Sequence, residues 1–167
     1  MNIKNKRIVL SYRLIFVLIC GYGLYLNLFN GQSIQWAQLR YYTLLSNVLC
    51  EIYMLSCLIK EIRGFRAWNT QIQSEGVVLA HLKGAITLCI LVTFLIFHFL
   101  LAGGSFSMGS GAGGAYLNSL SNRIVHYVVP LMFVLDWLLF DVKGTYTHFD
   151  PVKWIVIPYV YLAYALI

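Results

Sequence analysis

Thr43 and His126 carry the side chains best suited to chemistry in this sequence, and each belongs to a polar series with helical spacing. Ser46 and Asn47 follow Thr43 at i+3 and i+4, so the three share one helix face, with Glu51 a turn beyond. Asn122 precedes His126 by one turn, and Pro130 follows it by one turn. A threonine hydroxyl is a poor nucleophile until a base takes its proton, and a neutral imidazole at hydrogen-bond distance suits that task. Asn47, Asn122 or a helix-terminal N–H can then donate to the oxyanion of a tetrahedral intermediate. Pro130 has no N–H, so the carbonyl of His126 loses its usual helical partner. A kink is expected there, a common way of opening a polar cavity between membrane helices. Arg40 and Arg123 each stand three residues before the pair, where a guanidinium can hold an anionic head group. Two plainer readings compete with this one. Long cationic side chains snorkel to the interface, and threonines in membrane helices usually bond their own backbone.

The elements that must position these side chains are membrane helices. Of the 167 residues 60% are hydrophobic and 11% charged, where soluble domains carry about a quarter charged residues. The charges gather in short stretches and leave apolar runs of about 20 residues, the length a helix needs to cross a bilayer. Spans are expected near Ile8–Phe29, Tyr41–Ile59, Val77–Leu101, Leu120–Phe140 and Val152–Ile167, in a single all-α transmembrane domain over 1–167. Helices are the natural choice, because backbone groups in lipid must find partners within the segment and a barrel would show period-two alternation. The sequence stops at Leu166-Ile167 without the polar or aromatic anchor that closes a membrane helix, so a sixth span is expected to be missing. Lys4, Lys6 and Arg7 resemble the basic region of a signal peptide, but the apolar run that follows is too long and lacks a small-x-small cleavage site.

Basic residues alternate between loops. Three precede the first span, Arg40 is alone in the first loop, Lys60, Arg63 and Arg66 lie in the second, and the fourth holds Lys143 and Lys153. The positive-inside rule therefore places the N-terminus in the cytoplasm. The formal charge of +6 is divided among loops and forms no basic-aromatic surface, so no nucleic-acid partner is expected. In the third loop Gly109-x-Gly111-x-x-Gly114 matches a dinucleotide fingerprint formally, but that fingerprint requires a strand before it and a helix after it. A flexible loop is the simpler reading, with a lid over an outward-facing cavity as the functional alternative. Cys20, Cys50, Cys57 and Cys89 fall inside spans with no C-x-x-C pair, and they read as small apolar residues. No metal site and no cofactor are expected.

Ionisable groups inside spans are costly, about 3 kcal/mol each at the centre on insertion scales, so each needs an explanation. Arg13 and His81 lie near the inner ends and can snorkel. Glu51 and Lys83 lie toward the inner half, where they can pair between the second and third spans. Asp136 is deeper, and a helix–helix hydrogen bond is its expected role. His98 and His126 fall at comparable depth, which leaves a b-type haem carrier as one alternative function. A non-catalytic lipid or small-solute carrier is the other, although the internal repeats of a transporter are missing.

The segment Arg40-Tyr41-Tyr42-Thr43-Leu44-Leu45-Ser46-Asn47 resembles the start of the second helix in the family of androgen-induced and androgen-dependent membrane proteins and their bacterial relatives. Asn122-Arg123-Ile124-Val125-His126-Tyr127-Val128-Val129-Pro130, followed by Asp136-Trp137, is similar to that family's fourth-helix signature. Order and spacing match over nearly the whole chain. The animal members are multi-helix enzymes that hydrolyse fatty acid esters of hydroxy fatty acids with an intramembrane threonine and histidine. The resemblance implies Thr43 as nucleophile, His126 as its partner and a lipid-like ester as substrate. Arg40, Ser46, Asn47, Asn122, Arg123 and Asp136 would support them, and the bacterial relatives imply a bacterial inner membrane. The family pattern has six helices, one more than the sequence displays.

Overall fold

The computed structural model describes residues 5–30, 33–66, 77–102, 119–141 and 146–165. The first helix, α1 (Lys6–Leu28), starts where the Asn5 side chain accepts a hydrogen bond from the Arg7 N–H, and it stops where Phe29 turns extended. Its buried residues, Arg13, Phe16, Cys20, Gly23 and Leu24, recur every three or four positions and so form one face. Phe29–Asn30 then pairs antiparallel with Ser33–Ile34, a minimal hairpin that the apolar pattern did not announce. A 3-10 turn (Trp36–Arg40) leads into α2 (Tyr42–Arg66). The third helix, α3 (Val77–Ile96), loosens at its end into a π turn (Phe97–Ala102). The fourth, α4 (Leu120–Phe140), contains a second π turn at Ile124–Val128.

Four helices among the described residues are long and apolar enough to cross a membrane: Lys6–Leu28, Tyr42–Arg63, Leu79–Leu100 and Leu120–Phe140. The chain is an integral membrane protein built as an all-α bundle. Over the run expected as a fifth span, 152–167, the described residues are helical in two consecutive pieces. Two short helices, α5 (Asp150–Trp154) and α6 (Val156–Ala165), flank a turn at Ile155. Pro158 explains the break, since it has no N–H to offer the Trp154 carbonyl. Residues 166 and 167 lie outside the described residues, as does the glycine-rich segment 103–114.

The interior has three layers. A charged layer lies toward the end that carries Lys6. An apolar plug follows, where Phe133 meets Phe16 and Tyr53 edge-on (ring centroids 5.8 and 6.1 Å) beside fully buried Met54 and Ile90. Beyond the plug a neutral polar layer joins the start of α2 to the π turns. Gly23 lets α1 approach α4 there, because a side chain at that position would overlap Ile124.

Candidate functional site

The polar layer is organised by the two π turns. In α4, Ser119 caps the helix by accepting from the Asn122 N–H, and the wider turn ends with the Val129 N–H on the Ile124 carbonyl. Pro130, the next residue, cannot donate to the His126 carbonyl, so the π turn stands where the expected kink was placed. The π turn of α3 supplies the facing surface. Phe97 stacks on the His126 ring with centroids 3.8 Å apart and planes 17° from parallel. Beside them, His98 Nδ1 lies 3.4 Å from the Tyr127 hydroxyl. The Nδ1 atom of His126 is buried and has no hydrogen-bond partner among the described residues.

The start of α2 is tied to both neighbours. Asn47 Nδ2 donates to the Thr43 carbonyl (2.7 Å) and to the Val125 carbonyl of α4 (3.0 Å). The Ser46 hydroxyl donates to the same Thr43 carbonyl (2.9 Å) and lies 2.9 Å from the Thr93 hydroxyl of α3. Thr43 itself is half-buried. Because Ser46 meets Thr93 and the two helices run in opposite directions, one turn further along each brings Thr43 level with Phe97, and hence with the ring stacked on it. Thr43 and His126 therefore share a level, and no hydrogen bond joins them directly.

Asn47 differs from its expected part. Both hydrogens of its amide go to backbone carbonyls, so it has none to spare for an oxyanion. What it presents instead is Oδ1, a buried acceptor with no hydrogen-bond partner among the described residues. Asn122 is buried at the start of α4. Arg40 and Arg123 are exposed, and the Arg40 carbonyl accepts from the Tyr161 hydroxyl of α6 (2.7 Å). Phe97, Thr93 and Tyr127 were not legible as site residues, since nothing in their spacing separates them from lipid-facing or packing positions.

Asp136 belongs to the other polar layer. It lies about 15 Å along α4 from His126 by helical rise, where its carboxylate meets Arg13 Nε (3.2 Å) and Lys83 Nζ (2.5 Å). Lys83 also holds Asp141 (2.5 Å), and Arg13 holds Glu61 (2.7 Å). Two expectations change accordingly: Lys83 pairs with Asp136 and Asp141 and not with Glu51, and Arg13 is buried in ion pairs where snorkelling was expected. Asp136 makes helix–helix hydrogen bonds as expected, to the charged side chains of Arg13 and Lys83. Each change has one cause, the low dielectric of the interior, which favours opposite charges in direct contact. At the edge of this layer Asp150 accepts from the Thr147 N–H (2.6 Å) and from Lys153 (3.0 Å), and lies 3.2 Å from His81 Nε2. The Thr147 N–H first, and then Lys153, hold its carboxyl well below the usual carboxylate range.

Among the described residues no group of three or more His, Cys, Asp or Glu side chains is arranged to hold a metal ion. The fold and its layers define a polytopic integral membrane protein with a buried polar site at one end. No protein-family model, no curated protein and no solved structure matches the chain.

Proposed function

We propose that this protein is an intramembrane hydrolase of amphiphilic lipid esters, such as fatty acid esters of hydroxy fatty acids, with Thr43 as nucleophile and His126 as general base. The observation that carries the reading is the His126 imidazole, held on Phe97 between two π turns with a buried, unpartnered Nδ1, at the level of Thr43. A buried polar atom left without a partner costs about 1–3 kcal/mol, and π turns concentrate at functional sites. A group that forms its hydrogen bond only with substrate or with the reacting hydroxyl accounts for both.

In this mechanism Thr43 Oγ1 attacks the ester carbonyl as its proton passes to His126. The imidazolium then protonates the departing alcohol, leaving an acyl-threonine, and the same imidazole activates the water that releases the acid. With the Asn47 amide already engaged, Asn122 or a helix-terminal N–H is the donor assigned to the oxyanion. The exposed guanidinium of Arg40 or Arg123 would hold a substrate carboxylate at the mouth. By the positive-inside rule this mouth would face the outer leaflet with the N-terminus in the cytoplasm, and the family resemblance suggests a bacterial inner membrane.

The test is turnover of a fluorogenic medium-chain acyl ester by the purified protein beside Thr43→Ala and His126→Ala. Both variants are expected to lose turnover, His126→Ala by roughly 10²–10⁴-fold, while remaining folded and monodisperse in detergent. Equal background rates in all three proteins would refute the hydrolase and leave a non-catalytic lipid carrier.

A further inference from the structure

Glu51 stands apart from every other acidic side chain that the structure describes. Glu61 pairs with Arg13, Asp136 with Arg13 and Lys83, Asp141 with Lys83, and Asp150 with His81 and Lys153. Glu51 has no cation beside it among the described residues. It lies about 13 Å into α2 by helical rise, near the middle of a hydrocarbon core of about 30 Å. Its Oε1 faces Gly21 of α1, where an added Cβ would come within 3.5 Å of it. Its Oε2 is buried and has no hydrogen-bond partner among the described residues, while the residue as a whole is only half-buried.

The groups that face this carboxyl are neutral. From α1 the Cys20 thiol lies beside it and donates to the Asn47 carbonyl (3.6 Å). Cys50 is its neighbour on α2, and Cys89 of α3 is buried in the same part of the core. From α4 no titratable group is set against it among the described residues. Arg13, the buried cation on α1, lies about 10 Å from Cys20 along the helix and is committed to Asp136 and Glu61. An ionised carboxylate in this setting would be a buried charge with no counter-charge, which lipid tolerates poorly. A protonated, neutral carboxyl avoids that uncompensated charge.

We propose that Glu51 is an intramembrane proton-binding site, a carboxyl group that keeps its proton in the groove between α1 and α2 and is reached from lipid rather than from water. The proposal is independent of ester hydrolysis. It assigns to this chain a single exchangeable proton at mid-depth, at a position the Thr43–His126 chemistry does not use.

An apolar carbodiimide reads such a site directly. The carboxyl O–H adds across one C=N bond of the reagent: oxygen bonds to the central carbon, the proton goes to nitrogen, and acyl transfer to nitrogen gives a stable N-acylurea with nothing lost. Dicyclohexylcarbodiimide and a water-soluble carbodiimide would be applied separately to the purified full chain in lipid vesicles, at mildly acidic and mildly alkaline pH, with adducts located by peptide mass spectrometry. The expected result is one adduct, on Glu51, formed several-fold faster by the apolar reagent and falling as the pH rises. Glu51→Asp should keep the adduct and Glu51→Gln should lose it. Should Glu51→Gln fail to fold, peptide mapping of the unaltered protein still decides. No adduct at Glu51, equal labelling by the water-soluble reagent, or equal labelling of Glu61, Asp136 and Asp141 would each overturn the proposal.

Discussion

Asn47 shows at the scale of one residue why a side chain's inventory is not its role. Its place on the Thr43 face is readable from i+4 spacing, and so is its capacity to donate. Which groups consume that capacity is not readable, because the Val125 carbonyl comes from another helix 78 positions away. The same holds for Phe97, whose stacking on His126 depends on the rotation of two helices about their axes. The consequence for Asn47 can be measured. Asn47→Asp keeps the shape but turns a carboxylate toward two carbonyl oxygens, and Asn47→Ala simply removes the tie. Both should lower the thermal midpoint of the detergent-solubilised protein, Asn47→Ala by the equivalent of about 1–3 kcal/mol, with Asn47→Asp the more damaging. Ser46→Ala should cost less, about 0.5–1.5 kcal/mol, since the Thr43 carbonyl keeps its bond from Asn47. An Asn47→Asp protein as stable as the parent would show that the tie between α2 and α4 does not hold the site.

At the scale of elements, four apolar runs were legible almost to their ends: Leu120–Phe140 was expected and found with the same bounds, and Ile8–Phe29 became Lys6–Leu28. The π turn of α4 was half legible, because Pro130 announces a missing donor without saying how the helix adapts. The π turn of α3 carries no such signal. In the fifth run hydropathy counts apolar residues and does not register the break at Ile155. What holds α5 in place is equally invisible in one dimension. Gly84 of α3 lies against the Trp154 indole, which a side chain at that position would overlap. Gly84→Ala should therefore push α5 away and cost about 1–3 kcal/mol, as overpacking does, with Trp154 fluorescence shifting as the indole leaves its seat. Combining it with Trp154→Ala should cost less than the sum of the two, and strict additivity would refute the contact. Asp150 adds a pH signature. Its carboxyl is depressed in the folded protein, so its contribution to docking is complete above the unfolded carboxylate value of about 3.9 and fades only as the pH falls through the lower folded value. The Trp154 signal attributable to Asp150 should thus stay flat from neutral pH down to that range.

On the scale of the whole molecule, the charged layer is what makes four helices one body. Arg13 of α1, Glu61 of α2, Lys83 of α3, and Asp136 and Asp141 at the end of α4 meet in it. The sequence shows that these groups lie at similar depth. It does not show which neighbour each will meet, and depth alone made Glu51 an equally good partner for Lys83. The choice follows from helix order: α3 packs closely on α4, so the Lys83 ammonium reaches two acids there at once. Breaking a buried pair by removing one member costs about 3–5 kcal/mol, chiefly from the charge left behind. Lys83→Met should therefore be among the most damaging substitutions in the chain, taking the ammonium from Asp136 and Asp141 together. If the damage is electrostatic, it should be partly reversible by charge alone. Lys83→Met combined with Asp141→Asn removes one stranded acid and leaves Asp136 with Arg13, so the double variant should unfold at a higher temperature than Lys83→Met by itself. A double variant less stable than the single would mean that Lys83 contributes by filling space at the α3–α4 seam, and the layer would then be packing that happens to be charged.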